Sequence, residues 1–131
     1  MSEIQTSKVI AHLYTAKVVA AVQPIGSYHA FGEGEDIDFV VLSTLVTKED
    51  AADALVSVGY VLSSPDGEGS GGGSDAFIAM RKGDFNLLVT DDHAFYIDSK
   101  TAFEVVCALN LTDKADRIKV HQIIVDGGLH D

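Results

Sequence analysis

The chain has 131 residues, 47% of them hydrophobic, and twenty acidic against nine basic residues give it a net charge of −11. That length provides for one domain, spanning 1–131, around one core, and the acidic balance argues against broad electrostatic binding to DNA or RNA while leaving open a chain that mimics nucleic acid. The one cysteine, Cys107, excludes an internal disulfide and any CxxC-type zinc site, and its expected place is the core.

The spacing of Val9, Leu13, Ala16 and Ala20 predicts a helix from about Thr6 to Val22, capped by Thr6 or Ser7 and ended by Pro24. Nothing before it reads as a basic region followed by a long apolar stretch, and Val18–Val22 is too short to span a bilayer. The expectation is a soluble, cytoplasmic protein with no membrane partner. A short polar loop then leads to the apolar run Ile37–Ser43, which has the length and content of a strand buried on both faces. Thr47-Lys48-Glu49-Asp50 opens a second helix with a threonine cap and an acidic first turn, placing Ala51, Leu55 and Val58 inward before Gly59. Tyr60–Ser63 is expected to be a strand.

Pro65–Ser74 is glycine-rich and reads as a flexible hairpin loop or an introduced linker. Its formal GxGxxG match is followed by a strand pattern rather than a phosphate-binding helix, and so carries no site. Ala76–Arg81 and Phe85–Thr90 read as two strands joined at Lys82-Gly83-Asp84. Asp91-Asp92 caps a third helix with Phe95, Ala102, Val106 and Leu109 on one side. Thr112-Asp113 caps a fourth carrying Ile118, Val120, Ile123 and Ile124, closed by Gly127-Gly128.

The chemistry concentrates at Ile25-Gly26-Ser27 and at Asp36-Ile37-Asp38, which heads the apolar strand. Alternate residues of a strand share a face, so Asp36 and Asp38 point together. At about 6 Å and an effective dielectric of about 20, two such carboxylates repel by roughly 3 kcal/mol. They must be well solvated, share a proton or hold a cation, and Mg²⁺ or Mn²⁺ suits hard oxygen ligands on a rigid strand. Gly26 allows close backbone approach to a phosphate, and Ser27 offers a hydroxyl to its oxygens.

An apolar residue, Gly-Ser, a loop and Asp-x-Asp at the head of a strand resemble the signature of the nucleotidyltransferase superfamily that includes DNA polymerase beta and the minimal nucleotidyltransferases of toxin and antitoxin pairs. The segments Arg81–Thr90 and Ala108–Ile118 also look like small nucleotidyltransferase-like proteins of tailed bacteriophages. The resemblance implies an α/β (α+β) fold with a mixed, mainly antiparallel sheet flanked by helices. It also implies Mg²⁺-dependent transfer of a nucleoside monophosphate from an NTP to a protein or nucleic-acid hydroxyl, in a phage accessory protein acting in the host cytoplasm. Asp36 and Asp38 would bind metal, and Asp84 would complete the site or act as base. Gly26 and Ser27 would hold phosphate, with His29 and Arg81 as further phosphate contacts. If Asn86 rather than Asp84 takes the third position, one anionic ligand is lost.

Each group also has a plainer reading. His29 reads first as a solvent-facing loop histidine, Arg81 also as a hairpin surface charge, and His93 as part of an acidic helix start. Lys114, Arg117 and Lys119 read as a solvated helix face. No Arg or Lys lies between Gly26 and Gly34 to neutralise a triphosphate. These features fit a second function of another class, a degenerate member of the fold that inhibits a host bacterial protein through its acidic surface.

Overall fold

In the computed structural model, which describes residues 2–32, 34, 36–63 and 76–124, five strands form one sheet in the order β1-β2-β5-β4-β3. They are β1 (Ala20–Ile25), β2 (Ile37–Ser43), β3 (Val61–Leu62), β4 (Ile78–Lys82) and β5 (Phe85–Thr90). Only the β2–β5 pair is parallel; the other three are antiparallel. Five helices accompany the sheet: α1 (Ser2–Ala16), α2 (Gly26–Phe31), α3 (Lys48–Val56), α4 (His93–Leu109) and α5 (Lys114–Ile123). The α+β class with a mixed, mainly antiparallel sheet is therefore as expected. The glycine-rich segment 65–74 and Gly127-Gly128 lie outside the described residues. Among those described, no helix is long and apolar enough to cross a membrane.

Strand parity divides the core in two. Phe39, Val41, Leu87 and Val89 turn to one face and pack with Val9 and Leu13 of α1 and Ala51 and Leu55 of α3. Val40, Ala79 and Leu88 turn to the other and pack with Phe77 and with Phe95 of α4. A sheet covered on both faces needs central strands that are apolar throughout, and β2 is buried from Phe39 to Ser43. Each of its large side chains contributes about 1.5–3 kcal/mol by leaving water. Side-chain caps fix three helix starts: Thr47 accepts from the Asp50 N–H, Asp92 from Ala94 and Phe95, and Asp113 from Ala115.

The N-terminal segment departs from its periodicity. The helix ends at Ala16, and Ala20–Val22, expected to be its last residues, begin strand β1, which runs to Ile25 and pairs along its length with β2 from Ala20↔Ser43 to Ile25↔Asp38. Lys17 stops the helix in the left-handed region at φ 61. Its N–H reaches the Tyr14 carbonyl at 3.1 Å and the Val18 N–H reaches Leu13 at 2.9 Å, the two bonds of a Schellman end. Pro24 is tolerated because β1 is an edge strand and needs no outward N–H. Residues after Gly26 also differ from the expected loop, since Gly26–Phe31 form a short helix directly after β1. Cys107 is exposed rather than in the core, as are Leu109 and Ile123 on the helices that follow the sheet.

Candidate functional site

The register that buries Phe39 on one face turns Asp38 to the other, where it meets two neighbours. Antiparallel pairing sets Ile25 opposite Asp38 on β1, and parallel pairing sets Asn86 beside it on β5. The chain leaves β1 at Ile25 and turns at Gly26 with φ 84, a left-handed conformation that favours glycine. Space demands glycine there as well: a Cβ on residue 26 would lie 2.5 Å from Asp38 Oδ2. The Asp38 carboxylate is thus seated against the Gly26 backbone.

Asp38 and its surroundings form one wall of a cleft of about 390 Å³ under α4 and α5, lined on this side by Ile25, Gly26, Ser27, Asp36, Asp38 and Asn86. Both aspartates therefore face one space. Asn86 donates from Nδ2 to Asp38 Oδ1 at 3.1 Å, and its own Oδ1 accepts from Ser63 Oγ at 3.3 Å. Burial pushes the Asp38 carboxyl above the usual carboxylate range, the Asn86 hydrogen bond pulls it back, Asp36 pushes it further up, and Arg81 and Lys114 lower it. Asp36 is more exposed and forms an ion pair with Arg81, Nη1 to Oδ1 at 3.0 Å. With side-chain exposures of 40% for Arg81 and 47% for Asp36, that pair is of the surface kind, worth about 0.2–1 kcal/mol.

Leu88 continues the sheet side next to Asn86, and the opposite wall comes from the helices. Ala102, Phe103, Val106 and Ile118 make it apolar, while Ser99, His121, Lys114 and Arg117 bring polar groups. Buried Ser99 shares a 3.3 Å hydrogen bond with His121 Nε2. Periodicity puts Ala102, Val106 and Ile118 on the apolar sides of their helices, but it does not say that those sides meet over a cleft or that Lys114 and Arg117 join them. Lys114 and Arg117, read as a solvated stripe, line the cleft.

The structure brings Gly26, Ser27, Asp36 and Asp38 together, with Arg81 held at the rim by Asp36. Asp84 stands apart in the β4–β5 turn, where its backbone carbonyl accepts from the Ile37 N–H at 2.8 Å, and it does not line the cleft. Asn86 occupies the place beside Asp38. His29 is half-buried on α2 with its ring 4.7 Å from that of Phe39. Burial lowers the pKa of its ring, and a hydrogen bond to the Asp38 backbone partly offsets this. It too is absent from the cleft lining.

Two carboxylates with an adjacent hydroxyl fit one Mg²⁺, which takes one or two carboxylates and completes its shell with water and phosphate oxygens. They do not supply the third carboxylate of a two-cation centre. Among the described residues no group of three or more His, Cys, Asp or Glu is arranged to hold a metal. No family model, curated protein or solved structure matches the chain.

Proposed function

We propose that the chain is a Mg²⁺-dependent nucleotidyltransferase of the minimal type, a phage accessory protein moving a nucleoside monophosphate from an NTP to a protein or nucleic-acid hydroxyl. One observation carries this reading: Asp36 and Asp38 share a cleft with Gly26-Ser27, the arrangement that the resemblance requires of its metal and phosphate ligands. Asp36 and Asp38 hold the cation, and Ser27 donates to a phosphate oxygen. When bound, Mg²⁺ supplies charge neutralisation and orients the phosphate for in-line displacement. The protein's part is positioning, which suits a chain of this size. Arg81 is held to Asp36 only by a partly exposed ion pair, and it would be the cation nearest a polyphosphate on this side of the cleft.

Asn86 favours a second reading. A neutral amide where a third carboxylate is required leaves a site equipped to bind Mg²⁺ and nucleotide but not to activate the acceptor hydroxyl. Such a chain would act by binding and inhibiting a host protein through its acidic surface. Incubation with α-labelled NTPs, Mg²⁺ and host extract separates the two. The transferase reading expects label on a protein or nucleic acid, lost with Asp36→Asn/Asp38→Asn. Nucleotide binding without label transfer, together with a host protein retained in the absence of nucleotide, would favour the inhibitor.

A further inference from the structure

We propose that the α4–α5 wall is the nucleotide-recognising half of the cleft, with Lys114 binding the phosphates and the apolar surface beyond it receiving the nucleoside. This rests on the reading of the cleft as a nucleotide site. The wall formed by Gly26, Ser27, Asp36 and Asp38 offers two carboxylates, and its nearest cation, Arg81 at the rim, is already paired with Asp36. Polyphosphate on that side alone would meet two carboxylates and a single arginine that one of them already holds. Lys114 lies across the same space at the first turn of α5, its backbone positioned by the Asp113 cap. It is close enough to Asp38 to help lower that carboxyl's pKa.

Arg117 lies one turn further along α5 and does a different job. Its Nη1 donates to the carbonyls of Leu111 at 3.3 Å and Thr112 at 2.5 Å, tying down the chain that leads into α5. It is therefore a positioning residue for Lys114. Beyond them the wall turns apolar at Ala102, Phe103, Val106 and Ile118, broken by the Ser99–His121 hydrogen bond. Ligand sites typically span about 300–1,000 Å³ and combine apolar lining with a few polar groups that fix orientation. A planar heteroaromatic base meets that description, with the Ser99–His121 pair at its edge and the phosphates directed back to Lys114 and the aspartates. Charge thus sets the ligand's direction in the cleft: anionic end between Lys114 and the metal ligands, uncharged ring against α4.

Calorimetric titration with each of the four NTPs, the matching nucleosides and inorganic triphosphate, all with Mg²⁺, tests this. Lys114→Met is expected to weaken NTP and triphosphate binding about tenfold, the loss of one charge-assisted contact, and to leave nucleoside binding unchanged. Lys114→Arg should restore most of the loss. Phe103→Ala should weaken nucleoside and NTP alike, with melting curves verifying that the variant is folded. Lys119→Met removes the same charge from an exposed part of α5 outside the cleft and should change neither. Equal losses in Lys114→Met and Lys119→Met would reduce the effect to a long-range field and overturn the inference, as would unchanged triphosphate binding in Lys114→Met. Absence of any NTP binding by the wild-type chain would instead remove the underlying nucleotide reading together with it.

Discussion

Asn86 stands beside Asp38 across the parallel β2–β5 pair and donates to its Oδ1 at 3.1 Å. An amide in that place does two things that a carboxylate would not. It gives the buried Asp38 oxygen a donor, and it avoids adding a third negative charge to a wall that already holds Asp36 and Asp38. The amide thereby limits the charge on that wall, but the anionic donor set is one short for two metals.

Asn86→Asp should reverse both effects. Without divalent metal the variant loses a hydrogen bond to a largely buried carboxylate and gains a like charge beside it, a destabilisation of about 1–3 kcal/mol. Millimolar Mg²⁺ or Mn²⁺ should recover more stability in the variant than in wild type, because the third carboxylate gives the cation another ligand. Urea unfolding with and without metal measures both. If turnover is limited by the missing ligand, label transfer should also rise.

Asp38→Asn should stabilise the metal-free protein at pH 7. Burial raises the Asp38 pKa above its ordinary 3.8, so the folded state holds this proton more tightly than the unfolded chain. The sign of the linkage follows: the stability from this group is fully present below 3.8 and is lost as pH rises through the higher folded-state pKa. Asparagine escapes that loss and still accepts from Asn86. The gain over wild type should therefore be largest near neutrality and vanish below about pH 4. His12 and His29, whose pKa values are lowered mainly by burial, work in the opposite sense. Their contribution is lost as pH falls below 6.5 toward their folded-state values, and it cancels between wild type and variant. A variant less stable than wild type at pH 7 would mean that the charged carboxylate's bond to Asn86 and its attraction to Arg81 and Lys114 outweigh burial.

Much of this arrangement is legible in the residues themselves, and the parts that are not share a cause. The caps at Thr47, Asp92 and Asp113 and the strands β2 and β5 follow from local pattern. So does the shared face of Asp36 and Asp38, because strand parity is a local property. β1 was hidden because its apolar run suits helix or strand equally, and the helix before it ends on Lys17 in a left-handed conformation that lysine does not advertise. Asn86 in place of Asp84 depends on where β5 begins, a matter of one or two residues decided by pairing with β2. Lys114, Ser99 and His121 reach the cleft through the packing of α4 and α5 on the sheet, a tertiary choice with no local sign.

Gly26→Ala and Gly32→Ala form a matched pair. Both glycines have positive φ, 84 and 74, so each variant pays a backbone strain of about 1 kcal/mol or more. At Gly32 a Cβ meets nothing within 4 Å, whereas at Gly26 it collides with the Asp38 carboxylate. Gly26→Ala should therefore cost more stability than Gly32→Ala, and it alone should weaken the response of the melting temperature to Mg²⁺. Equal behaviour would show that the carboxylate shifts freely and that its seat against Gly26 is unimportant.

The central claim is that the cleft beneath α4 and α5 holds a divalent cation and a nucleotide together. Paramagnetic broadening of backbone amide resonances by substoichiometric Mn²⁺, with and without NTP, reads this directly. The account predicts selective broadening at Gly26, Ser27, Asp36, Asp38 and Asn86, extension to Lys114 when NTP is added, and loss of both in Asp36→Asn/Asp38→Asn. Uniform weak broadening over the acidic surface, or broadening centred elsewhere and unchanged in that double variant, would contradict it.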